Sequence, residues 1–271
     1  MATRLPVVSG LFYPGTKGIL LKQLRDMFSK TRKPREGCRA VICPHAGYEY
    51  SGSMAAKAVS QLTPANHFIV LGPNHYLRGG DFAIMSSGSW ETPLGRVPID
   101  SSLARRLLKH RPFREDPQAH EREHSIEAVL PFLQHRFKGL SFVPISVMNV
   151  SYSQGFLRDC EAAGKAIASA IRGKNIGVVV SSDFSHYLPE KAALEKDKKA
   201  IKQIKRLDLD GFFRALDETE ASVCGYGPIA VLMSMARELG LKPRAIGSTT
   251  SAEAGGDRGS VVSYHAIGFY Q

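Results

Sequence analysis

Short, nearly continuous apolar runs recur along the chain, separated by stretches whose apolar positions repeat with helical spacing. A continuous apolar run suits a strand buried on both faces, whereas spacing at i, i+3, i+4 and i+7 suits a helix with one buried side. Arg39–Cys43, His67–Leu71, Phe142–Val147 and Ile176–Ser181 read as such strands. Helices are expected near Ser53–Leu62, Leu103–Lys109, Glu123–Phe137, Gln154–Ile171, Glu190–Arg206, Leu209–Leu216 and Pro228–Leu239. Strands near Arg244–Ser248 and Ser260–Phe269 close the chain. Buried strands alternating with helices predict an α/β/α sandwich around a central, mostly parallel or mixed sheet. No Pro/Gly/Ser linker and no internal repeat interrupts the pattern, so residues 1–271 are read as a single domain.

Composition narrows the setting. A chain of 271 residues buries enough surface to fold without disulfides. Its four cysteines, at 38, 43, 160 and 224, form no Cys-x-x-Cys pair, which argues against both a disulfide framework and a zinc ribbon. No apolar run approaches the roughly 18 residues of a membrane span. The segment Met1-Ala2-Thr3-Arg4-Leu5-Pro6 lacks the apolar core of a secretory leader. The expectation is a cytoplasmic protein without a membrane partner. The formal net charge of +11 could serve a polyanion. The basic residues gather modestly in Lys30–Arg39, Arg105–Arg114 and Lys191–Arg206, and the last cluster mixes signs as a solvated helix does. No RNA-binding aromatic motif, zinc finger or basic zipper is present, so nucleic acid is not the expected partner.

Three predicted strands end alike. Val41-Ile42-Cys43 leads into Pro44-His45-Ala46-Gly47-Tyr48, and Phe68-Ile69-Val70-Leu71 into Gly72-Pro73-Asn74-His75-Tyr76. Val178-Val179-Val180-Ser181 leads into Ser182-Asp183-Phe184-Ser185-His186-Tyr187. Ligands of open α/β sheets bind outside the carboxyl ends of the strands. If these strands are parallel neighbours, His45, His75, Asp183 and His186 share one crevice. Imidazoles with a carboxylate are the parts of a metal site. Pro44, Gly47, Gly72 and Pro73 fit tight turns that would fix the rings. A single histidine after a strand is usually only a hydrogen-bonding loop residue; the same placement at three strand ends favours a site.

Other motifs compete. His120-Glu121-Arg122-Glu123-His124 matches both His-Glu-x-x-His and its inverse. A zincin needs both histidines on one face of a stable helix. Pro117 would place His120 at a fraying helix start, Arg122 and Glu123 give that turn a solvated look, and no third ligand falls at a familiar spacing. The segment is read instead as the start of a helix carrying Ile126, Val129, Leu130 and Leu133 inward. Ser182, Asp183, Ser185 and His186, with Ser51 near His45, offer parts for serine chemistry, but without a G-x-S-x-G elbow. Gly225-Tyr226-Gly227 is too short for a dinucleotide fingerprint, and Gly255-Gly256-Asp257-Arg258-Gly259 lacks the Lys-Ser/Thr of a P-loop.

The strand-end segments also carry a resemblance. Pro44-His45-Ala46-Gly47-Tyr48-Glu49-Tyr50-Ser51-Gly52, Leu71-Gly72-Pro73-Asn74-His75, Glu123-His124-Ser125-Ile126-Glu127 and Ser181-Ser182-Asp183-Phe184-Ser185-His186 resemble the signatures of the Memo family, which includes AmmeMemoRadiSam system protein B. Ser9-Gly10-Leu11-Phe12-Tyr13-Pro14 and Gly256-Asp257-Arg258-Gly259-Ser260-Val261-Val262-Ser263-Tyr264 are similar to its first and last segments, so the likeness spans nearly the whole chain. The family resembles class III extradiol dioxygenases in fold. That resemblance implies His45 and His75 as metal ligands, with Cys224 in place of the dioxygenase carboxylate. It implies His186 as acid/base, Asp183 beside it as its orienting partner, and His124 facing the substrate. A thiolate favours Cu(I), Zn(II) or Fe(II) over Mg or Ca, and it is open to oxidation. By residue chemistry alone, Cys224 reads rather as a small buried hydrophobe at a helix start, the commonest fate of a free cysteine. Two functions follow as expectations. One is a non-haem iron or copper redox enzyme. The other is a non-catalytic protein holding a small molecule or peptide in the same cleft, lined by Tyr48, Tyr50, Tyr76 and Tyr187.

Overall fold

The computed structural model describes residues 2–150 and 152–271; Met1, the first residue of the segment read above as lacking a leader's apolar core, and Ser151 lie outside the described residues. In chain order the elements are β1 (Thr3–Arg4), α1 (Lys17–Ser29), β2 (Cys38–Cys43), α2 (Tyr48–Gln61), β3 (His67–Asn74), β4 (Phe82–Ile84), β5 (Ser89–Thr92), β6 (Gly95–Pro98), α3 (Ser101–Leu107), β7 (Arg114–Glu115), α4 (Leu130–Arg136) and β8 (Ser141–Met148). They continue with α5 (Gln154–Ile171), β9 (Ile176–Ser181), β10 (His186–Leu188), α6 (Glu190–Arg206), α7 (Leu209–Thr219), α8 (Tyr226–Leu239), β11 (Lys242–Thr250) and β12 (Val261–Tyr270). Among the described residues the main sheet has nine strands, ordered β10-β12-β2-β9-β3-β8-β4-β7, with β11 also paired to β12. β2, β9, β3 and β8 are parallel, and β12 and β4 join them antiparallel on either side.

The continuous apolar strands have the physical cause expected of them. In β2, Ala40 and Ile42 join one core cluster while Val41 and Cys43 join the other. In β9, Val178 and Val180 face the first cluster and Val179 the second. Side chains alternate across a strand, so a run apolar at every position means both faces are covered. One cover contains α3, α5, α7 and α8 with part of α6, and the other contains α1, α2 and α4. Each fully buried valine or isoleucine contributes roughly 1.5–3 kcal/mol. A charged substitution at Val179 would forfeit that and leave an unpaired buried charge. The α/β/α sandwich with a mixed sheet is therefore the observed architecture.

Several boundaries differ from the sequence reading. β3 runs on through Gly72, Pro73 and Asn74, paired with β8, so Gly72 and Pro73 are strand residues and not a turn. Gly72 is required by close packing, since a Cβ there would sit 2.4 Å from Ser125 Oγ. α2 starts at Tyr48, on Gly47, and not near Ser53. The segment read as a helix from Glu123 forms a 3₁₀ turn at Glu127–Val129 and becomes α-helical only at Leu130, with Pro131 in its first turn. Ile126, Val129, Leu130 and Leu133 point inward as expected. α1 went unread although Leu20, Leu24 and Met27 are its buried stripe. The short strands β4 to β7 also escaped the pattern. Among the described residues, no helix is long and apolar enough to cross a membrane.

Candidate metal centre

Because β2, β9 and β3 are parallel and adjacent, their carboxyl ends open on one edge of the sheet. His45 sits in the short loop between β2 and α2, His75 directly follows β3, and Ser182–Ser185 links β9 to β10, where His186 begins. Cys224 lies in the turn before α8. The rings of His45 and His75 are 5.3 Å apart, and His124 stacks on His75 at 4.6 Å. One donor atom each from His45, His75 and Cys224 lie within 4.8 Å of one another. The same holds for His75, Glu123 and His124, and for Asp183, His186 and Cys224.

Hydrogen bonds fix which ring nitrogen of each histidine is free. The Ser181 hydroxyl donates to the Ser125 carbonyl at 2.6 Å, so it can only accept from His45 Nδ1, 2.7 Å away. Nδ1 therefore carries the proton, and His45 Nε2 turns its lone pair toward Cys224 Sγ at 3.5 Å. His75 Nδ1 donates to Glu123 Oε1 at 2.9 Å, and its backbone N–H donates to Glu123 Oε2 at 2.6 Å. That leaves its Nε2, which has no hydrogen-bond partner among the described residues, as the nitrogen that faces the cleft. A neutral imidazole locked by its second nitrogen is the form that binds a metal.

The electrostatics agree. Burial, followed by the neighbouring His75, His124 and His186, holds the His45 imidazolium form far below its usual range. Burial alone would raise the Glu123 carboxyl, but the His75 hydrogen bond, the His75 and His124 rings and the Ser125 N–H together hold it down at about 2. Burial and the Asp183 carboxylate push the Cys224 thiol well up. Burial also pushes Asp183 up, against the opposing pull of the His45 backbone N–H. A cation among these groups would reverse the penalty on the thiolate, since a metal deprotonates a coordinating thiol.

Some assignments need correction. Ser222, not Asp183, orients His186: its carbonyl accepts from His186 Nδ1 at 2.8 Å and its hydroxyl accepts the His186 N–H at 2.8 Å. Asp183 instead accepts the His45 N–H at 3.0 Å and donates its own N–H to Cys224 Sγ at 3.2 Å. Glu123, read as solvated, is 1% exposed and is the carboxylate that holds His75. Tyr48 does not line the cleft; it is buried against Phe132 and donates to the Ala128 carbonyl. Tyr50, Tyr76 and Tyr187 are exposed. His120 and His124 part company: His120 lies in a 3₁₀ turn with its ring against Trp90, while His124 faces the cleft. The cleft-edge serines are occupied, since Ser182 donates to the Asp183 carbonyl, Ser185 to Asp197 and Ser51 to the Ala46 carbonyl.

Sequence reasoning missed Ser181, Ser222 and the role of Glu123. Glu123 and Ser181 do stand in recognised segments, beside His124 and at the head of Ser181–His186, but nothing local in the sequence marks either one, or Ser222, as a hydrogen-bond partner of a histidine ring.

The fold and this edge define a class: an α/β/α protein with a histidine- and cysteine-lined cleft at the carboxyl ends of its parallel strands. The sequence profile described as Memo-like protein matches residues 4–268. The chain is 38% identical over 287 residues to a MEMO1 family protein of Caldivirga maquilingensis, covering 100% of both chains. It is also 38% identical over 278 residues to one from Nitrosopumilus maritimus, covering 98% of this chain and 99% of that one. The chain belongs to the Memo family. The crystal structure of uncharacterized protein JW3007 from Escherichia coli K12 shares the fold at a TM-score of 0.57 and 16% identity, covering 84% of this chain and 98% of that one.

Proposed function

We propose that this cleft binds one transition-metal ion through His45 Nε2, His75 Nε2 and Cys224 Sγ, and that the protein is a metal-dependent redox enzyme of the cytoplasm. The observation that carries the reading is the pair of fixed tautomers. Ser181 and Glu123 engage the two Nδ1 atoms and leave the Nε2 of buried His45 and of His75, at the open side of the cleft, beside a thiol. Two imidazoles and a thiolate fit Fe(II) or Cu(I), with Zn(II) also accommodated. Once bound, the ion would supply Lewis-acid or one-electron chemistry.

The chain's own residues have separate tasks. Ser181 and Glu123 hold the two ligand rings. Asp183 is a positioning residue, tying the His45 backbone to the Cys224 loop. His186 Nδ1 is committed to Ser222, which leaves Nε2 to take or give a proton at the cleft mouth. His124, stacked on His75, presents its ring to whatever enters.

Cobalt(II) substitution tests the ligand set. Wild type should bind one ion and show a sulfur-to-cobalt charge-transfer band. Cys224→Ala should lose the band, and His45→Ala should lose most of the affinity. A band that persists in Cys224→Ala, or equal affinity in all three proteins, would refute the assignment.

The exposed Tyr50, Tyr76 and Tyr187, at 41%, 51% and 77%, favour a second reading in which the cleft holds a small molecule or peptide without turning it over. Retained binding of a tyrosine-rich peptide by metal-free Cys224→Ala would select it.

A further inference from the structure

The sheet edge opposite the candidate metal centre carries a second concave feature. The loop that leads into β2, the last turn of α2, the start of β11 and the end of β12 enclose a hollow of about 470 Å³. Six cationic side chains line it: Lys30, Arg32, Lys33, Arg35, Lys57 and Arg244. Among the described residues that line it, none is acidic. β2 separates this hollow from His45, and six residues of strand span about 20 Å.

The floor is built rather than incidental. Gln61 is 6% exposed, and its Oε1 accepts the Arg35 backbone N–H at 3.1 Å and the Tyr270 hydroxyl at 3.4 Å. This pins the basic loop to α2 and β12. The Arg244 guanidinium lies 6.0 Å from the centre of the Tyr270 ring.

The ordinary explanation is that cations gather at helix carboxyl ends. α1 and α2 both end here, and each contributes about half a negative charge. Asp26 pairs with Lys30 at 2.7 Å, and Glu36 stands in the same loop. Those terms sum to about three negative charges against six positive ones, so about three remain uncompensated. Among the described residues, Arg32, Lys33, Arg35, Lys57 and Arg244 form no ion pair.

We propose that this hollow binds a compact anion carrying two or more phosphate groups. Three arginines offer planar forks that match phosphate oxygens. The volume lies in the range of small-molecule sites, on the order of 300–1,000 Å³. A nucleic-acid strand is the poorer fit, because every large exposed apolar side chain lies away from this hollow and none offers a stacking platform for bases.

Calorimetric titration with inorganic tripolyphosphate at ~0.15 M salt tests the proposal. Wild type should bind one equivalent. The Arg32→Gln, Arg35→Gln, Arg244→Gln triple variant should bind at least about tenfold more weakly, since charge-assisted forks are lost. A matched control, Lys198→Gln, Lys199→Gln, Lys202→Gln, removes the same charge from exposed positions on α6 and should change affinity less than about twofold at this salt. No saturable binding by wild type, or equal weakening in both variants, would overturn the site. A short DNA duplex that displaces tripolyphosphate at equal phosphate concentration would overturn the compact-ligand assignment.

Discussion

Glu123→Gln is the substitution that best separates a designed ligand mount from an incidental ion pair. Glu123 is 1% exposed and accepts three N–H groups: His75 Nδ1–H and the Ser125 N–H at Oε1, and the His75 N–H at Oε2. A glutamine can keep its carbonyl toward the first two. Its amide NH₂ must then confront the His75 N–H, donor against donor, at a cost of about 1–3 kcal/mol for the unmade bond. The charge is lost as well. The carboxyl is held down from its usual 4.5 to about 2, and at 1.36 kcal/mol per unit that corresponds to about 3 kcal/mol. The two contributions overlap, so a loss of about 2–4 kcal/mol at pH 7 is expected. The sign follows from linkage. With the folded value below the unfolded one, the stabilisation is complete above pH 4.5 and disappears as pH falls toward 2. Urea unfolding of both proteins from pH 7 down to 2.5 measures it. The gap between wild type and variant should close across the acid limb, and Co(II) affinity should fall by about 10–100-fold, the usual effect of losing an outer-shell partner. A pH-independent difference smaller than about 0.5 kcal/mol, with unchanged metal affinity, would refute the reasoning.

Further outcomes follow from other parts of the molecule. His120 is fully buried, and burial, then the Arg4 charge, lowers it to about 4. Its folded value lies below its unfolded one, so wild type should lose about 3 kcal/mol as pH falls from 6.5 to 4; His120→Phe should flatten that slope in urea unfolding at each pH. Gly225→Ala would bring a Cβ within 2.5 Å of Ser182 Cβ and 2.8 Å of the Ser181 carbonyl, backbone that cannot yield cheaply. It should cost about 1–3 kcal/mol and, by shifting the Cys224 turn, weaken the cobalt charge-transfer band. Metal affinity of wild type should fall with falling pH, because protons compete for both imidazoles and the thiolate; a flat profile in competition titrations would exclude the thiolate from the site.

Strand and helix alternation was decided by local pattern. The apolar runs of β2, β3, β8 and β9 could be buried only on two faces, which implies helices on both sides of a sheet. His45, His75 and His186 were legible as strand-end residues, and parallel order then forces their convergence. The resemblance singled out Cys224, which spacing alone left as a core thiol. Other features were not local. Glu123 sits in a segment of charged residues and reads as solvated, until packing against β3 buries it and gives it His75. Ser181 looks like the end of a strand; only its donation to the Ser125 carbonyl makes it the acceptor that sets the His45 tautomer. Ser222 displaces Asp183 as the His186 partner because the turn before α8 folds back over β10. The sequence determines which faces must be buried and where ligands can stand. Which nitrogen is protonated and which carboxylate holds it depends on contacts between residues dozens of positions apart, and only the tertiary structure brings those together.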